Sequence, residues 1–129
     1  MIAVLDILNA ISDDKALVLF KTIALANYRS DRLRSKTKLT RKQFYSRISN
    51  LIRIGLVKRN NGKYSLTACG KVIYYAQEEL IGVAIRDSWK LKAIDSIELS
   101  DKEFSKEEYA KLVDSLISNQ KIKEILLAK

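Results

Sequence analysis

Apolar residues recur along most of this chain at helical spacing, and the main exception is one short stretch after residue 56. Residues 16–26 (ALVLFKTIALA) are apolar on nearly every side, which predicts a helix buried from more than one direction, between later elements or against a second subunit. Ser12, Asp13 and Asp14 precede it as a cap and an acidic first turn. A short helix is expected over residues 1–9, and a short polar one over residues 30–36 with Leu33 and Tyr28 as inward anchors. The next start signal is sharper. Thr40 and Gln43 form a capping box, Leu39 and Phe44 a hydrophobic staple, and Gly55 suits the left-handed position that ends a helix. On a helical wheel Phe44, Ile48, Leu51 and Ile52 group with Gly55, while Lys42, Ser46, Ser49 and Arg53 lie opposite.

The pattern then changes to the period of two. Asn61-Gly62 favours a type I′ turn, which would pair Asn60 with Lys63, Arg59 with Tyr64 and Val57 with Leu66. Val57, Tyr64 and Leu66 then face inward, and Lys58, Asn60 and Lys63 outward. Thr67 caps an expected helix from residue 68 to about residue 87. Asp87-Ser88 marks a break before a helix through Trp89, Leu91, Ile94 and Ile97, and Ser105 with Glu108 is a second capping box. A last short helix is expected over residues 121–127. The fold class is therefore mainly α with a small β-hairpin. Residues 1–87 form one expected domain and residues 88–129 a helical extension suited to dimerisation.

Charge sharpens this picture. The net charge is +9, but residues 29–63 hold twelve Lys or Arg against Asp31 alone, giving +11, and the rest of the chain sums to −2. Apolar residues recur through the same segment, so it is a basic face on a folded core and not a solvated tail. A polyanion partner follows, nucleic acid ahead of an anionic membrane surface. With no histidine and one cysteine, metal sites and Ser-His or Cys-His catalysis are not expected, and neither are cofactors or enzymatic activity. The lone cysteine fits a reducing compartment, so the cytoplasm is the expected location. No apolar run approaches the length of a membrane span, and no basic region precedes the first apolar residues as in a processing signal.

A helix, a polar short helix, a capped amphipathic helix, a basic hairpin and a long helix follow one another in the order of a winged helix-turn-helix. Residues 39–59 (LTRKQFYSRISNLIRIGLVKR), with 62–67 (GKYSLT) and Gly70-Lys71 behind them, resemble archaeal winged helix transcriptional regulators of the broad MarR/ArsR-like group. The resemblance covers residues 12–87 and is strongest over 39–75. Thr37-Lys38 departs from it, standing where a small residue or glycine is usual at the bend.

Arg41, Lys42, Gln43, Tyr45, Ser46 and Arg47 are the candidate base-reading residues, since they occupy the early turns of the capped helix. Lys38, Lys58, Arg59 and Lys63 are the candidates for phosphate contacts. The bland reading of both sets is a solvated surface. Cys69 in a first helical turn admits a redox role or mere packing, and Tyr74, Tyr75 and Trp89 an effector pocket or a core. The expected function is a homodimeric, sequence-specific regulator on double-stranded DNA. The alternative is a winged helix module that binds protein or RNA without reading sequence.

Overall fold

The computed structural model describes residues 2–98 and 105–128, so Met1, at the head of the expected first helix, lies outside it. The fold is mainly helical with a small three-stranded antiparallel sheet. Two compact units divide the chain, Met1–Tyr74 and Tyr75–Lys129. That division falls inside the helical stretch expected to run to Asp87, ahead of the boundary drawn from the sequence.

In the first unit the elements are α1 (Val4–Ala10), α2 (Asp14–Leu25), β1 (Tyr28–Arg29), α3 (Ser30–Thr37), α4 (Arg41–Ile54), β2 (Val57–Asn60), β3 (Lys63–Leu66) and α5 (Ala68–Tyr75). Local chemistry explains most of these boundaries. Asp13 starts α2 by accepting the Ala16 N–H at 2.6 Å. Thr40 and Gln43 close their reciprocal capping box around the first turn of α4. Gly55 ends α4 at φ +91°, and its following residue, Leu56, donates its N–H back to the Leu51 carbonyl.

The sheet order is β1-β3-β2. The hairpin register is the expected one, with Val57 opposite Leu66, Arg59 opposite Tyr64 and Asn60 opposite Lys63. Asn61 and Gly62, both at positive φ, make its turn. The third strand was not anticipated: β1 is two residues long and pairs Tyr28 with Tyr64 and Arg29 with Lys63. One core holds this unit together, built on Leu19, Phe20, Ile23, Leu33, Phe44, Ile48, Leu51, Ile54, Leu56, Val57, Tyr64 and Leu66.

Two expectations need correction. Ile52, placed with the core by the wheel, is 40% exposed, and Ile54 is buried in its stead because the core stripe runs on through Leu51 towards the helix end. Helix α2 is not buried all round, since Val18 and Leu25 are exposed. Tyr74 packs edge-on against Phe20, and Tyr75 and Trp89 are exposed.

Thr67 joins the end of the sheet to the start of α5. Its hydroxyl donates to the Gly55 carbonyl and accepts the Gly70 N–H, and its own N–H donates to the Leu56 carbonyl. Gly70 is buried at this junction because a Cβ there would lie 2.1 Å from the Leu56 carbonyl oxygen. The glycine of the sequence motif is thus set by close backbone approach and not by a turn.

The second unit continues the helical backbone through a π-helical stretch, Ala76–Ile81, and α6 (Gly82–Arg86), which ends at Asp87 as expected. It adds α7 (Ser88–Glu98), α8 (Lys106–Leu116) and α9 (Gln120–Leu127). Ser105 caps α8 and Asn119 caps α9. Val83, Ile94, Val113, Ile117 and Ile122 form the separate core of this unit.

Candidate nucleic-acid interface

Helix α4 is fixed on one side by Phe44, Ile48, Leu51 and Ile54, all nearly or fully buried. Lys42, Ser46, Ser49 and Arg53 therefore form its solvent face, one turn apart from each other. The ten residues singled out from the sequence divide around that axis.

Lys42 and Ser46 lie on the free face, where side chains reach outward with no core contact. Arg41 and Tyr45 share one flank: the Arg41 guanidinium sits 5.9 Å from the Tyr45 ring, which itself meets Phe44 edge-on and is 44% exposed. Gln43 is partly committed, because its side-chain oxygen accepts the Thr40 N–H at 3.1 Å. Arg47 lies on the other flank and turns back to α2, where it donates to both Asp13 carboxylate oxygens at 3.4 and 3.2 Å. Asp13 is held below its ordinary pKa, first by the Ala16 N–H it accepts and then by the bond and charge of Arg47, against an opposing effect of burial. Arg47 is thus a tie between two helices rather than a member of the free face.

Arg53 and Ser49 complete the free face, where the wheel places both, and are not among the ten candidates. Arg53 donates to the Asn50 side chain, which steadies it without removing its charge. An open polar cleft beside this face is lined by Asn9, Asp13, Ser46, Arg47, Asn50 and Arg53 among others.

The backbone-contact candidates also separate. Lys38 occupies the left-handed region at φ +56° and ends α3, exposed at the bend before α4. Lys58 and Lys63 project from the outer face of the sheet. Arg59 lies on the same side of the strand as Val57 but is exposed, with its guanidinium 5.7 Å from the ring of buried Tyr64. The alternation of strand residues requires this, since Arg59 sits two positions after Val57. Within residues 29–63, Arg47 is the one cation with an ion pair among the described residues. Among the described residues the +11 of the segment is therefore met by one ion pair.

Among the described residues no group of histidine, cysteine or acidic side chains is placed to hold a metal ion, and no helix is long and apolar enough to cross a membrane. Cys69 is exposed in the first turn of α5. No protein-family model matches this chain, and none of the curated proteins does.

Proposed function

We propose that the first unit is a winged helix-turn-helix and that the protein is a sequence-specific regulator bound to double-stranded DNA. The sheet order β1-β3-β2, closed by a strand that precedes α3, supports this reading, because it sets the hairpin beside α4 as a wing stands beside a recognition helix. The observation that carries the functional step is the free face of α4. Lys42, Ser46, Ser49 and Arg53 stand exposed on a helix capped and anchored at both ends, so α4 enters the major groove with these residues towards the base edges. Lys38, Lys58 and Lys63 hold the flanking phosphates.

Fluorescence anisotropy with the gene's own upstream duplex and a scrambled duplex of equal length tests this reading. The native duplex wins by about tenfold or more. Lys42→Ala with Arg53→Ala removes that preference, whereas Arg47→Ala leaves most of it and lowers stability instead. Equal binding of both duplexes by the wild type, with no effect of Lys42→Ala, supports a module that does not read sequence. The protein acts as a homodimer, for which α1 supplies an exposed apolar surface in Val4, Leu5 and Leu8. Sedimentation checks this: Leu5→Glu with Leu8→Glu turns a dimer into a monomer, and a wild-type monomer would refute it.

A further inference from the structure

The cleft beside α4 extends past the free face of that helix to the end of α1 and the start of α2. Its volume is about 470 Å³, within the range of roughly 300–1,000 Å³ that holds a small molecule. Ser46 and Arg53 on one edge belong to the free face of α4. Asn9, Asp13, Arg47 and Asn50 do not, and they give the cleft a chemistry of its own.

Much of that chemistry is unspent. Arg47 donates to Asp13 through Nε and one terminal nitrogen, and Arg53 donates to the Asn50 side-chain oxygen. Both guanidinium groups therefore keep unused donors, and Asn50 keeps its amide N–H groups. Asp13 accepts the Ala16 N–H and both Arg47 bonds, with room for a further donor at Oδ2. The side chains of Asn9 and Ser46 have no bonds among the described residues.

The combination selects against most ligands. A carboxylate beside a phosphodiester strand repels it, so the Asp13 side of the cleft is unsuited to the duplex that the free face would meet. Two guanidinium groups next to one carboxylate repel a metal cation. Ala10 and Ala16 are the apolar residues of the lining, so a nucleobase has no ring to stack on and a lipophilic molecule little to bury against. A bare oxyanion satisfies the arginines but sets a like charge against Asp13. A molecule with an anionic group at one end and several hydroxyl groups at the other satisfies every member of the lining.

We propose that this cleft binds a sugar phosphate or a similar polyhydroxylated phosphate, and that its occupancy keeps the duplex from Ser46 and Arg53. The phosphate accepts from Arg47 and Arg53, and the hydroxyl groups donate to Asp13 and to the side-chain oxygen of Asn9. The exclusion rests on the reading of α4 as the helix that meets the duplex. The binding does not.

The test uses the full chain, with glucose 6-phosphate, ribose 5-phosphate and glycerol 3-phosphate as probes. Inorganic phosphate and glucose are controls that carry one half of the chemistry each. Proton–nitrogen correlation spectra follow the side-chain amides of Asn9 and Asn50, assigned through Asn9→Ala and Asn50→Ala. At least one probe shifts both amides at millimolar concentration and binds about five-fold or more tighter than either control. Asn9→Ala weakens that probe by about five-fold, the effect of one hydrogen bond. Asn9 is exposed, so this variant melts with the wild type. Asp13→Asn keeps the cap of α2 but removes the charge that rejects a bare anion, and the probe loses its advantage over inorganic phosphate. In anisotropy at matched ionic strength, the probe releases a bound duplex from the wild type and releases less from Asn9→Ala, whose duplex affinity is unchanged.

Still amides with all three probes at tens of millimolar overturn the site, as does inorganic phosphate that binds the wild type as tightly as the probes. Shifted amides with a duplex that stays bound overturn the exclusion. Shifted amides in a protein that binds no duplex leave the cleft standing and sink the nucleic-acid reading.

Discussion

At position 70 a single methyl group has nowhere to go. Its nearest neighbours would be the Leu56 carbonyl oxygen at 2.1 Å and the Leu66 Cβ at 3.3 Å, and the first of these is backbone already bonded to the Thr67 N–H. Relief requires moving the sheet end away from α5, so Gly70→Ala lowers stability by about 3 kcal/mol, the upper range for overpacking. Urea unfolding measures it, and a loss of well under about 1 kcal/mol would mean that the junction is looser than its geometry. Asp13 offers a subtler case, because one carboxylate both caps α2 and holds Arg47. Asp13→Asn keeps the capping acceptor and removes the charge, while Asp13→Ala removes both and costs about 1 kcal/mol. The folded pKa of Asp13 lies below its ordinary 3.8, so its electrostatic contribution is complete above about pH 4 and is lost as pH falls through the folded value. The gap between wild type and Asp13→Asn is small at neutral pH, since the pair is exposed, and closes as the solution is acidified past that point. A gap that persists in strong acid would show that charge is not what links Asp13 to Arg47.

The bend between α3 and α4 shows how an element can carry stability and binding in opposite directions. Lys38 stands at φ +56°, a conformation that costs a residue with a Cβ about 1–2 kcal/mol. Lys38→Gly removes that strain but gives the unfolded chain more freedom, for a net gain of about 0.5 kcal/mol. The same substitution deletes a cation beside α4, so duplex affinity falls while the denaturation midpoint rises. A drop in both would place Lys38 in the packing of the bend. This position was legible in the sequence only as a departure from a familiar pattern. The elements read correctly were those with local causes: the box of Thr40 and Gln43, the Gly55 stop, and the register that Asn61-Gly62 imposes. What escaped depends on distant partners. Strand β1 exists because Tyr28 and Arg29 find Tyr64 and Lys63, and a two-residue strand leaves no periodicity to detect. The partner of Arg47 could not be read either, since Asp13 lies 34 positions earlier. Arg59 shares the strand side of Val57, as its alternation requires, and stays exposed beside the Tyr64 ring.

Over the whole molecule the charge is distributed against the stability of the free protein. Residues 29–63 carry +11 and the remainder −2, and among the described residues that segment makes one ion pair, between Arg47 and Asp13. Cations gathered on α4 and the outer sheet therefore repel one another whenever no polyanion is bound. Added salt shortens the reach of that repulsion from about 10 Å at 0.1 M to about 3 Å at 1 M. In the proposed duplex complex the same ions compete for phosphates, so salt stabilises the free fold and weakens that complex. Calorimetry in increasing sodium chloride finds the melting temperature rising by a few degrees, the equivalent of roughly 1 kcal/mol, while duplex affinity falls steeply. Arg29→Gln/Lys58→Gln/Lys63→Gln removes three of the cations that oppose folding, so its melting temperature starts higher and responds less to salt. A wild-type melting temperature that is flat or falling over the range in which affinity drops would mean that these cations are already compensated in the free protein. The crowded basic segment would then need a reason other than a polyanion to exist.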